Sequence, residues 1–80
     1  MSTAERVLDV LAGIARTDAV RTNLDIRLYD QRILDSHATV RLIVAFEEAF
    51  GLEFNDVEFS PEEWATPDRI IKYMERKVSP

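Results

Sequence analysis

The stretch Leu34-Asp35-Ser36-His37-Ala38-Thr39-Val40-Arg41-Leu42-Ile43-Val44-Ala45-Phe46-Glu47-Glu48-Ala49-Phe50-Gly51 decides the fold of this chain. Asp35 or Ser36 suits an N-cap, and Gly51 suits a stop, so the residues between them read as one helix. At about 100° per residue, Thr39, Leu42, Ile43, Phe46, Ala49 and Phe50 fall on one side and form a core stripe. The opposite side carries His37, Arg41, Val44 and Glu48, with Val40 and Glu47 at its flank. Two exposed valines one turn apart, bordered by acids, suit a small docking patch.

Upstream, Ser2 and Glu5 have capping-box spacing. Ala4, Val7, Leu8, Leu11, Ile14 and Ala15 then keep helical spacing, which predicts a first helix ending near Arg16. Between the two helices lies a long polar stretch. Asp18 is expected to cap one short turn there. Leu24, Ile26, Leu28, Ile33 and Leu34 are scattered anchors without a long period, which suits an ordered loop pinned across a helical bundle. A strand over 24–28 is the alternative. Downstream of Gly51, residues 52–59 alternate partly, but no second strand is available to pair with them. Ser60-Pro61-Glu62-Glu63 forms a helix start, and Thr66-Pro67 forms another soon after, so the helix between them is very short. The last helix sets Pro67, Ile70, Ile71, Met74 and Val78 on one side, with Arg76 and Lys77 suited to its C-terminal dipole. The expected fold is all-α: a four-helix bundle with three main helices, one short helix and a long first loop, built as one domain over residues 1–80. The large aromatics Phe46, Phe50, Phe54, Phe59 and Trp64 are expected in or near the core.

The chain has 80 residues, with 10 Lys+Arg against 15 Asp+Glu and a net charge of −5. At 46% hydrophobic and 31% charged residues, its composition is globular and not disordered. The absence of Cys excludes disulfides, thiolate metal sites and a Cys nucleophile, and a single His excludes a multi-His metal cage. Acidity argues against nucleic acid. No apolar run reaches the length of a membrane span, and no signal-peptide pattern opens the chain. The charge is also uneven. Residues 1–34 balance, residues 35–64 hold eight acids against Arg41 alone, and residues 65–80 are mildly basic. The acidic centre is either a solvated surface or a docking face for basic partners.

Asp35, Ser36 and His37 invite comparison with a hydrolytic triad. Helix geometry rejects it, because adjacent residues point in different directions, and there is no nucleophile elbow. A plain helix cap explains the pair. A hydroxyl at a helix N-terminus is also well placed to hold a phosphate, since free backbone N–H groups and the dipole favour negative charge there.

Asp35-Ser36, then Thr39-Val40, then the amphipathic run ending Glu47-Glu48-Ala49-Phe50, resembles the acyl carrier protein family. The resemblance covers nearly the whole chain. Within the family, Ile33-Leu34-Asp35-Ser36, Trp64-Ala65-Thr66-Pro67 and Ile70 look most like D-alanyl carrier proteins. Two departures stand out. His37 occupies the position where the family usually has Leu or another bulky apolar residue. Ala38 and Arg41 occupy positions where fatty-acid carriers often have acids.

The resemblance implies a carrier and not an enzyme, with no catalytic residue and no bound metal. It implies 4′-phosphopantetheine, taken from coenzyme A and attached covalently to Ser36, with Asp35 presenting Ser36 to a phosphopantetheinyl transferase. The arm would carry an acyl or aminoacyl group as a thioester, first for a specialised pathway and alternatively D-alanine for teichoic acid. His37, Val40, Arg41, Val44, Glu47 and Glu48 would dock the transferase, an activating ligase and a downstream acyltransferase or synthase. A cytoplasmic monomer is expected. A non-carrier helical interaction module is the reading from another class.

Overall fold

The computed structural model describes residues 2–54 and 61–78. It contains α1 (Thr3–Ala15), α2 (Ala19–Thr22), α3 (Ser36–Phe50) and α4 (Pro67–Val78), and no strand occurs among the described residues. The all-α class with four helices is as expected. The four-residue helix lies in the first loop, however, and residues 61–64 make consecutive turns. Ser60 and Phe59, and most of the alternating stretch after Gly51, lie outside the described residues.

Local chemistry explains each helix end. The Glu5 N–H donates to Ser2 Oγ at 3.1 Å, and Ser2 Oγ donates to Glu5 Oε1 at 3.3 Å. Ser2 thus caps α1 as its spacing with Glu5 suggests. Arg16 ends α1 in the left-handed region, at φ 59°, and its N–H donates to the Ala12 carbonyl. At α2 Asp18 holds the expected N-cap position, but its side chain makes no capping hydrogen bond. Thr17 Oγ1 accepts the Ala19 N–H at 3.2 Å, while the Asp18 carboxylate accepts from Arg21 Nε. Arg21 also reaches Asp9 of α1 at 2.7 Å, which ties the short helix to its neighbour. Thr66 Oγ1 accepts the Arg69 N–H at the start of α4, directly before Pro67.

The first loop is a strap. Its Leu28 N–H donates to the Ala65 carbonyl at 2.9 Å, and the Asp68 N–H donates to the Leu24 carbonyl at 3.0 Å. The Leu28 carbonyl accepts from both Ile33 and Leu34. Leu28 and Leu34 are buried, whereas Leu24 is 38% exposed and is not the apolar anchor its residue type suggests. These bonds supply partners for loop backbone that burial would otherwise leave unsatisfied.

The core joins Val7 and Leu11 of α1, Val20 of α2, Leu42 and Phe46 of α3, and Ile70, Tyr73 and Met74 of α4. Trp64 is fully buried at its centre, with Phe46 and Tyr73 rings each 5.7 Å away, centroid to centroid. Such tilted and edge-on ring pairs add to simple area burial. The expected aromatic core therefore holds for Phe46 and Trp64, with Phe50 and Phe54 packed against it. Tyr73 joins the stripe of α4 that sequence spacing had not included.

Candidate functional site: the N-terminal turn of α3

Leu34 is buried one residue before the turn, and Thr39 is buried one turn into the helix, 5% exposed. Between these two anchors, Asp35, Ser36 and His37 are all exposed. Asp35 is the N-cap, resolving the choice between it and Ser36. Its carboxylate accepts the Ala38 N–H at 2.7 Å, and its carbonyl accepts the Thr39 N–H at 2.9 Å. The Thr39 hydroxyl adds a second bond to that carbonyl at 2.8 Å. Ser36, the first helical residue, therefore follows a residue held at both its side chain and its backbone.

This geometry suits the attachment of a phosphodiester. The hydroxyl of Ser36 is exposed, and it sits at the positive end of a fifteen-residue helix. The first backbone N–H groups of the turn, those of Ser36 and His37, have no intrahelical acceptor by position. No acid other than the capping Asp35 stands in the first turn to repel added negative charge. A covalent arm on Ser36 would leave the core undisturbed.

The triad idea fails here on contact as well as on spacing. The Asp35 carboxylate is occupied by a backbone N–H of its own helix turn, as a capping residue's should be.

The expected docking residues separate into two groups. His37, Val40, Arg41, Val44 and Glu48 are exposed, with Val40 at 60% and Val44 at 47%. Glu47 is half-buried, and its carboxylate accepts the Phe54 N–H at 3.0 Å, so it pins the chain that leaves α3. The Glu47 carbonyl also accepts the N–H groups of Gly51 and Leu52, closing the helix around Gly51 at φ 66°.

Three residues near α3 carry structural duties that the sequence pattern did not single out. Arg6 of α1 donates to the Ala49 carbonyl and lies 4.5 Å from the Phe50 ring centroid, so it closes the far end of α3. Thr39 belongs to the core stripe and to the Thr39-Val40 motif, and it also bonds the carbonyl of the capping Asp35. Tyr29, in the first loop, brings its hydroxyl within 2.7 Å of Thr39 Oγ1. Burial pushes the Tyr29 phenol up from its ordinary pKa of 10.0. No periodic signal links positions 29 and 39, because the contact depends on how the loop folds back.

Among the described residues, no helix is long and apolar enough to cross a membrane. The phosphopantetheine attachment site family (PP-binding) matches residues 5–74. A D-alanyl carrier protein of Bacillus cereus (strain B4264) is 44% identical over 71 residues, covering 89% of this chain and 90% of that protein. A D-alanyl carrier protein of Bacillus anthracis (strain CDC 684 / NRRL 3495) matches to the same extent. These matches set aside the reading as an unrelated interaction module. With a hydroxyl displayed at a capped helix start inside a family match that spans most of the chain, the protein belongs to the acyl carrier protein family, as a carrier whose cofactor is covalent 4′-phosphopantetheine.

Proposed function

We propose that residues 1–80 work as one carrier domain and that Ser36 is its attachment residue. The observation that carries this is the exposed Ser36 hydroxyl on a turn fixed by Leu34, Asp35 and Thr39. During modification Ser36 Oγ forms a bond to the β-phosphorus of coenzyme A. The bond from that phosphorus to the nucleotide oxygen breaks, 3′,5′-ADP leaves, and the Ser36 proton passes to a base on the transferase. Asp35 presents Ser36 by holding the turn through its bond to Ala38. Once attached, the arm supplies a thiol that carries cargo as a thioester. The chain itself performs no catalysis: it displays Ser36 and offers a surface to successive enzymes.

The cargo we propose is an aminoacyl group, D-alanine, as in the names of the matched relatives. Partners are then a phosphopantetheinyl transferase, a D-alanine-activating ligase and a downstream acyltransferase, all met in the cytoplasm where coenzyme A is available. His37, Val40, Arg41, Val44 and Glu48 form the docking face, and Glu47 contributes mainly by holding Phe54. A specialised acyl cargo is the second reading. It is favoured by the exposed His37 beside Ser36, where the family usually has an apolar residue.

Incubating the modified protein with a D-alanine-activating ligase, D-alanine and ATP separates the two cargoes. Gain of one alanyl mass, released by hydroxylamine as a thioester should be, supports D-alanine. No gain with D-alanine, alongside loading by a ligase for another acyl group, supports the second reading.

A further inference from the structure

The hydrogen bonds beneath the attachment turn begin outside α3. The Thr39 hydroxyl has one hydrogen, and it is committed to the Asp35 carbonyl at 2.8 Å. In the 2.7 Å contact between Tyr29 and Thr39, the Tyr29 O–H is therefore the donor. The result is a chain from the phenol of the first loop, through a hydroxyl, to the carbonyl directly before Ser36. Thr39 is buried and Tyr29 half-buried, so the bonds are partly shielded from competing water. A threonine bonding back to a carbonyl one turn earlier usually adds little to a helix. The Tyr29 bond extends that contact into a link between two elements.

The phenol end of the link is firmly held. Leu28, its neighbour, is fully buried, and donates to Ala65 while accepting from Ile33 and Leu34. The Tyr29 carbonyl accepts the Arg32 N–H at 3.2 Å. Tyr29 thus sits on a closed loop strapped to the chain before α4, and from there it bonds the first turn of α3.

We propose that Tyr29 and Thr39 are positioning residues for modification at Ser36. They hold the first turn of α3 in one attitude relative to the first loop, so that a transferase meets the Ser36 hydroxyl already placed. Neither touches the reacting atoms. The inference rests on Ser36 being the attachment residue.

The test measures kcat/KM for the unmodified protein as substrate of a phosphopantetheinyl transferase with coenzyme A, read by intact mass. Tyr29→Phe keeps the ring and removes the donor. Its kcat/KM should fall about fivefold, the factor expected for one lost hydrogen bond. Thr39→Val should fall at least as far, and adding Tyr29→Phe to it should cost nothing more, since the bond is already gone. Thr39→Ser, which keeps the hydroxyl, should restore the rate. Gly51→Ala serves as the stability control: it strains the φ of 66° at the opposite end of α3 and should leave kcat/KM unchanged. Modification of Tyr29→Phe at the unsubstituted rate would overturn the proposal. So would an equal loss in Gly51→Ala, because the effect would then be one of stability alone. If the unsubstituted protein takes no arm at all, the attachment reading fails first and this proposal falls with it.

Discussion

Ser36 is available for chemistry because its neighbours are not. Asp35 spends its carboxylate on the Ala38 N–H, Leu34 is buried, and Thr39 is bonded to the Asp35 carbonyl. An exposed hydroxyl on an unanchored loop would have to be ordered before reaction; here the ordering is done by folding. The cap at Asp35 and the exposed position of Ser36 beside it were legible in the sequence because capping patterns are local. Tyr29 was not, because its partner lies ten positions away across a loop without a period. The phenol also has a measurable signature at this scale. Burial holds its folded pKa above the unfolded value of 10.0, so its contribution to stability is complete below about pH 10. Above that, the unfolded phenol ionises while the folded one resists, and stability is lost as pH rises through the folded pKa. Denaturant titrations at a series of alkaline pH values should show the stability gap between the unsubstituted protein and Tyr29→Phe narrowing above pH 10. A gap independent of pH would contradict the buried, bonded phenol.

Among the elements, α3 divides its labour by face and by end. The buried stripe of Thr39, Leu42 and Phe46 fixes its seat in the bundle, and His37, Val40, Arg41, Val44 and Glu48 face outward, exposed. The helix and its stripe were readable from the 3.6-residue period and from Gly51. The different duties of Glu47 and Glu48 were not, since both are acids about one turn beyond Val44 in the sequence. Only the folded chain shows the Glu47 carboxylate bonded to Phe54. Two substitutions should therefore behave differently. Glu48→Lys should leave stability within about 0.5 kcal/mol of the original, as exposed substitutions usually do. It should slow reactions with basic partners at low salt, and the loss should shrink as salt screens the charge. Glu47→Ala should lower stability by about 1 kcal/mol, the typical value of a lost hydrogen bond. Denaturant midpoints and partner kinetics at two salt concentrations distinguish these outcomes. Equal stability losses for both would contradict the division.

For the molecule as a whole, the first loop joins the first turn of α3 to the rest of the bundle. Leu28 is fully buried and bonds to Ala65, the loop meets α4 through the Leu24 carbonyl, and Tyr29 reaches α3. The sequence showed that apolar residues were scattered through this segment but not which of them would serve as anchors. Leu28 became one and Leu24 did not, because loop anchors follow from tertiary packing and not from spacing. Leu28→Ala should cost about 2–5 kcal/mol, a large share of the stability of so small a domain. A denaturant midpoint shifted by less than the equivalent of about 1 kcal/mol would mean that the strap is ornamental. Everything in this account serves one display, that of the Ser36 hydroxyl. The most direct measurement is the intact mass of the protein after incubation with coenzyme A and a broad-specificity phosphopantetheinyl transferase, beside that of Ser36→Ala. The unsubstituted protein should gain the mass of one phosphopantetheine and Ser36→Ala should gain none; an unchanged mass in the first, or an equal gain in the second, would contradict the account.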